Sequence, residues 1–349
     1  MYQTIPEKKA LFPAFVGAVV CIFLLRTSFL AFFFLVPLGF VFYRYNYRSA
    51  WTAFFFAALG NSILAAGARA SRGVSLTDTI WDIVYFGLMT FIFTGIVAPP
   101  PALSVKFNGT VRFFGGSCLG ALMLAYLFLQ VSSSPVFLEY INYLIGAVFQ
   151  VNRSTGADVV QNAMLGSLTA EFVLKTMQTV MLCGGSLVSC VLLFAVCRQT
   201  SLFLARLSFW KGAGASSETS SLVLFRVNPK VIWVFSASLF SVVFTRITRL
   251  EIPEIILWNI LILCVILYFT QGLGILQFFL SRFALSPFLR FFLCVVVVIV
   301  LFSPFLNVLL LGGLFLLGVV ENWVPLRASR ESGPPSTPGA GGGGFPGGD

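Results

Sequence analysis

From residue 11 to residue 320 the chain is a succession of long apolar runs, and that succession limits the fold more than any motif does. The runs occupy 11–25, 29–43, 50–67, 80–98, 111–131, 176–196, 231–245, 254–280 and 288–320, the last broken at Ser303-Pro304. None alternates polar and apolar residues as the strands of a membrane barrel do. Unpaired backbone groups are too costly in hydrocarbon for any other open structure, so runs of this kind must be helices. Hydrophobic residues make up 58% of the chain and charged residues 10%, a balance that suits lipid as solvent and not water. The expected fold is all-α: a polytopic transmembrane helical bundle of about eight to ten spans, according to whether 288–320 is one span or a hairpin of two.

Charge in the connections sets the orientation. With a cytoplasmic N terminus and alternating passes, fifteen of the 22 Lys and Arg residues fall inside and seven outside. The positive-inside rule therefore favours cytoplasmic N and C termini in the cytoplasmic (inner) membrane, with 288–320 as a hairpin. Lys8 and Lys9 precede the first run without a small-residue cleavage site, which predicts a retained first helix. Two connections are long. Residues 132–175 carry apolar pairs at helical spacing, such as Phe137-Leu138, Tyr140-Ile141 and Leu144-Ile145, and read as one or two amphipathic helices on the outer side. The alternative is that 138–149 extends a neighbouring span. Residues 198–230 are basic and contain a Gly/Ser stretch at 212–221, a flexible link between two halves. The expected organisation is a transmembrane half over 1–197, this cytoplasmic connection over 198–230, a second transmembrane half over 231–327 and a disordered Gly/Pro-rich tail over 328–349.

Chemistry is sparse. The chain has no histidine, so there is no imidazole base, no imidazole metal ligand and no Ser-His-Asp array. No Gly-rich phosphate loop appears. The seven cysteines form no Cys-x-x-Cys pair, and Cys183, Cys190 and Cys197 recur every seven residues along one helical stripe, as packing residues do. No metal site, cofactor or nucleic-acid partner is expected, and the chain does not read as an enzyme. Asp78/Asp82 and Glu251/Glu254 stand at the starts of spans, where acids suit the helix dipole. The sharper candidates are polar residues inside apolar runs, because lipid penalises them unless they face a cavity or another helix. The candidate ligand-binding set is Asn61, Asn259, Gln271, Gly272, Gly274 and Asn307. In Gln271-Gly272-x-Gly274 the glycines allow close backbone approach beside an amide that both donates and accepts. Interhelical hydrogen bonds that only fix packing explain the same residues equally simply.

Three segments of the second half carry a family resemblance: Leu224-Phe225-Arg226-Val227-Asn228-Pro229, Tyr268-Phe269-Thr270-Gln271-Gly272-Leu273 and the stretch from Leu317 to Arg327 with its Leu-Gly, acidic residue, aromatic and Arg. With Val36-Pro37-Leu38, Arg44 and Tyr47 near the start, they resemble the YybS-like family of predicted bacterial membrane proteins of unknown function. That family is distantly similar to the substrate-binding membrane components of energy-coupling-factor transporters. The likeness implies a helical bundle that holds a small ligand from outside and docks on a cytoplasmic module.

Two readings of function follow. One is a component that binds or transports a small solute, captured near Asn259 and Gln271. The other is a membrane scaffold or assembly factor that binds partner helices, without transport or catalysis. The partners expected are membrane lipids, a small-molecule solute, and a cytoplasmic or membrane subunit.

Overall fold

A computed structural model describes residues 7–27, 30–72, 76–99, 109–154, 169–207, 225–248, 251–282, 303–324 and 326–327. Every regular element among them is helical: α1 (Glu7–Arg26), a 3-10 turn (Ala31–Phe33), α2 (Val36–Arg44), α3 (Tyr47–Arg72), α4 (Leu76–Val97), α5 (Gly109–Ser132), α6 (Pro135–Ser154), α7 (Ala170–Val180), α8 (Ser186–Leu207), α9 (Val231–Thr248), α10 (Glu251–Arg282) and α11 (Pro304–Val320). Among the described residues five helices are long and apolar enough to cross a membrane, with four shorter apolar helices beside them. The fold is the expected all-α polytopic bundle.

Helices overrun the hydropathy runs that announce them. The run at 50–67 becomes α3, Tyr47–Arg72, because Arg48, Arg69 and Arg72 end an apolar stretch without interrupting backbone bonding. Long basic side chains can lie along the helix and reach the membrane surface. The run at 176–196 belongs to the continuous stretch Ala170–Ala205. Thr169 caps its start, accepting the Phe172 N–H at 3.2 Å. The described residues cover part of the amphipathic segment. α6 is a separate helix, parted from α5 by a turn at Ser133-Ser134 ahead of Pro135, so 138–149 does not extend a span. Residues 155–168, the 208–224 part of the basic link, 288–302 of the last run and the tail lie outside the described residues.

The chain divides into two compact units, Met1–Thr219 with Trp233–Cys264, and Ser220–Ile232 with Val265–Asp349. In the first, α2 lies among α1, α3, α4 and α8. Its core is aromatic and aliphatic: Leu35, Leu38 and Val41 around α2, Phe86, Met89 and Phe93 on α4, Phe194 on α8. Three hydroxyls in this core donate to main-chain carbonyls. The Ser201 hydroxyl donates to the Val36 carbonyl at 2.9 Å, Thr90 to Phe86 at 2.6 Å and Thr94 to Thr90 at 2.7 Å. Cys190 and Cys197 are buried packing residues on α8, whereas Cys183 sits at a break between α7 and α8.

Candidate functional site

Asn61 and Asn259 belong to the first unit, and Gln271, Gly272, Gly274 and Asn307 to the second. Each has an identifiable environment, beginning with the break that Asn259 attends. Between α7 and α8, residues Met181–Gly185 leave the α-helical bonding pattern, and Ser186 N–H reaches back to the Met181 carbonyl. Gly184 has φ +117°, a backbone conformation that an L side chain adopts only under strain. A side chain there would also strike Ile262 of α10. Where the ladder is broken, carbonyls need another donor. Asn259 supplies one: its Nδ2 donates to the Leu182 carbonyl at 2.5 Å and to Ile255 O, one turn back on its own helix, at 2.9 Å. The π-like break and Asn259 are thus one device.

Asn61 lies elsewhere in the same unit, where α1, α3 and α4 converge. It is fully buried, and its Oδ1 accepts from Arg26 Nη2 at 2.7 Å. The same Nη2 donates to Asp82 Oδ2 at 2.7 Å. Asn61 Nδ2 has no acceptor among the described residues. Asp82 therefore holds a specific cation and does more than decorate a helix start. The side chain of Asp78 lies outside the described residues. Of the other acidic pair, Glu254 accepts from Trp258 Nε1 at 3.3 Å.

The second unit contains the most developed polar cluster. α10 and α11 pack antiparallel: Tyr268 faces Gly318 while Gly272 faces Leu314. A Cβ on Gly272 would strike the Leu314 carbonyl, and one on Gly318 the Tyr268 carbonyl. Both glycines are therefore required for the helices to approach backbone to backbone, as small residues permit in membrane helix pairs. Tyr268 packs edge-on to Phe315 with ring centroids 6.2 Å apart. This register sets the end of α11 beside Gln271. Gln271 Oε1 accepts the Val227 N–H at 2.8 Å, and its Nε2 donates to Glu321 Oε2 at 2.8 Å. Arg327 donates through Nε to Glu321 Oε1 at 2.6 Å, through Nη2 to Glu321 Oε2, and through Nη2 to the Phe225 carbonyl at 2.8 Å. The Glu321 and Arg327 side chains are each 3% exposed. The arginine also stands near the C-terminal end of α11, where a cation is favoured. Gly274 is buried one turn from Gln271, and Asn307, on α11, keeps an Oδ1 without a donor among the described residues.

Glu321 and Arg327 were not on the sequence-derived candidate list. Their signal was present: opposite charges six residues apart directly after an apolar run. The three segments that carried the resemblance, 224–229, 268–273 and 317–327, are the ones that this network joins through Phe225, Val227, Gln271, Glu321 and Arg327. The network fixes a turn in which Lys230 N–H bonds Asn228 Oδ1 at 3.0 Å and Val231 N–H bonds the Asn228 carbonyl at 2.9 Å. Arg226 and Lys230 are exposed on it. Among the described residues no group of three or more Cys, Asp or Glu side chains is placed to hold a metal ion.

The chain belongs to the family described as Predicted membrane protein (DUF2232), whose model matches residues 14–315. Nothing matches it among curated proteins or among solved structures.

Proposed function

We propose that this DUF2232 member is a non-catalytic component of a membrane assembly, which docks a partner subunit through the face formed by residues 225–230 and 321–327. The observation that carries the reading is the buried Gln271–Glu321–Arg327 network. Its bonds run among groups of this chain, so it serves as an internal clamp. A buried ion pair seldom adds stability over an apolar packing, and the best-attested return on one is a defined geometry. Here the geometry obtained is a rigid basic turn that presents Arg226 and Lys230, neither of which has an ion-pair partner among the described residues. Two fixed cations suit an acidic surface on a cytoplasmic or membrane subunit. The resemblance to substrate-binding components of energy-coupling-factor transporters supports docking as well, since those proteins sit on a cytoplasmic module.

The test is purification of the tagged full chain from native membranes, with and without Arg226→Glu and Lys230→Glu together. The expected result is a stoichiometric subunit that accompanies the wild type and is lost on charge reversal at unchanged melting temperature. A wild type that carries no subunit, or a subunit indifferent to the reversal, contradicts the proposal.

A second reading, solute binding or transport, is favoured by the unpartnered Asn61 Nδ2 and Asn307 Oδ1. Under that reading, wild-type protein extracted gently and weighed by native mass spectrometry carries a small molecule that Asn61→Leu or Asn307→Leu releases.

A further inference from the structure

The cluster at the end of α1 has hydrogen-bonding capacity that the described residues do not use. Arg26 is the last residue of its helix, and Asp82 lies in the second turn of α4. Both are partly exposed, 43% and 31% by side chain, so the cluster opens to the surroundings and Asn61 forms its floor. The orientation of the Asn61 amide is set by chemistry: only its oxygen can face a guanidinium. Nδ2 is therefore the remaining end of the amide, buried and without an acceptor among the described residues. A buried donor in that state costs about 1–3 kcal/mol, and more in lipid. Arg26 uses Nη2 for both of its bonds, and its Nε and Nη1 have no partner among the described residues. Among the described residues Asp82 bonds through Oδ2 alone. The cluster therefore offers unused donors beside an unused carboxylate oxygen.

Charge restricts what can fill it. Arg26 and Asp82 cancel, so a bare anion competes with Asp82 for the guanidinium and a bare cation competes with Arg26 for the carboxylate. A group that carries an oxyanion and an ammonium a few bonds apart satisfies both at once. Position adds to the argument. Exposed Phe23, three residues before Arg26 on α1, gives the cluster an apolar flank. A helix end with charged residues above and apolar side chains below lies at the depth of lipid headgroups. We propose that Arg26, Asn61 and Asp82 form a binding site for a zwitterionic phosphoethanolamine group, its phosphate on Arg26 with Asn61 Nδ2 as a further donor and its ammonium on Asp82. The group can come from a phospholipid or from a free zwitterion. This proposal is independent of the docking face.

The test is native mass spectrometry of the full chain in detergent, supplied in turn with phosphatidylethanolamine, phosphatidylglycerol and free O-phosphoethanolamine. The wild type should retain phosphatidylethanolamine over phosphatidylglycerol by roughly tenfold, the effect of one well-placed charged contact. Asp82→Asn should invert the preference, because it leaves Arg26 uncompensated and favours the anionic lipid. Asp82→Glu should keep it. Asn61→Leu should lower retention of phosphatidylethanolamine without inverting the preference. Loss of fold lowers both lipids together, so it cannot mimic an inversion. Retention of free O-phosphoethanolamine with no lipid preference supports the same site chemistry and assigns the source to a soluble zwitterion. Equal retention of the two lipids by wild type and Asp82→Asn, with no free phosphoethanolamine bound, overturns the proposal.

Discussion

Removing Arg327 should cost this protein far more than an ordinary surface arginine would. Its side chain is 3% exposed and bonds both oxygens of Glu321 and the Phe225 carbonyl. Arg327→Met keeps the length of the side chain and deletes the charge. Glu321 is then a buried carboxylate with the Gln271 amide as its remaining donor in the network, and stranding one member of a buried pair costs about 3–5 kcal/mol. The Phe225 carbonyl loses a donor as well, worth about 1–3 kcal/mol if water cannot reach it. The combined expectation is about 4–8 kcal/mol. Glu321→Leu strands the arginine instead and takes the acceptor from Gln271 Nε2, so it should cost about 4–8 kcal/mol by the same reasoning. In the double variant no charge is stranded. What remains is the loss of one bond at Gln271 Nε2 and one at the Phe225 carbonyl, about 2–6 kcal/mol at about 1–3 kcal/mol each. The double variant should therefore be no less stable than Arg327→Met, with a coupling of about 2 kcal/mol or more. Unfolding by SDS titration in mixed micelles measures the cycle. Hydrogen exchange at the Val227 amide reports the local consequence, since that N–H is held by Gln271. Costs that simply add across the cycle, or single variants within about 1 kcal/mol of wild type, would refute the view that these side chains are ionised and interdependent.

Three further outcomes are expected. Gly272→Ala and Gly318→Ala each place a methyl group against a facing main-chain carbonyl, which cannot yield as a side chain can, and should cost about 1–3 kcal/mol in the same titration. Asn259→Leu leaves the Leu182 carbonyl short of a donor at the α7–α8 break and should cost about 1–3 kcal/mol, whereas Gln178→Leu removes only a partly buried bond to the Ser132 hydroxyl and should cost about 0.5–1.5 kcal/mol. A reporter fused at Gly214 should face the cytoplasm if the loop charges orient the chain, and an outward-facing reporter there would remove that orientation.

The sequence by itself determined the solvent and the elements. A run of apolar residues long enough to cross lipid leaves the backbone no alternative to a helix, and that constraint acts within a single segment. The spans were therefore legible from 50–67 and 254–280 alone, with ends displaced by a few residues where arginines prolonged α3. The separateness of α6 was half legible: its amphipathic spacing showed, while its parting from α5 rested on the Ser-Ser-Pro turn. Only the tertiary structure decided what the buried polar residues do. Asn259 looked like a group awaiting a solute, and its donor is engaged by a carbonyl 77 residues away at a kink that Gly184 permits. Gln271 carried the same ambiguity, and both ends of its amide are bonded to segments separated from it by 44 and 50 residues. Glu321 and Arg327 read as a polar turn after a span, because proximity to Gln271 depends on the antiparallel register of α10 and α11. Helix formation is a local property of composition. Pairing of polar groups depends on which helices meet and in what register, and that is a property of the assembled bundle.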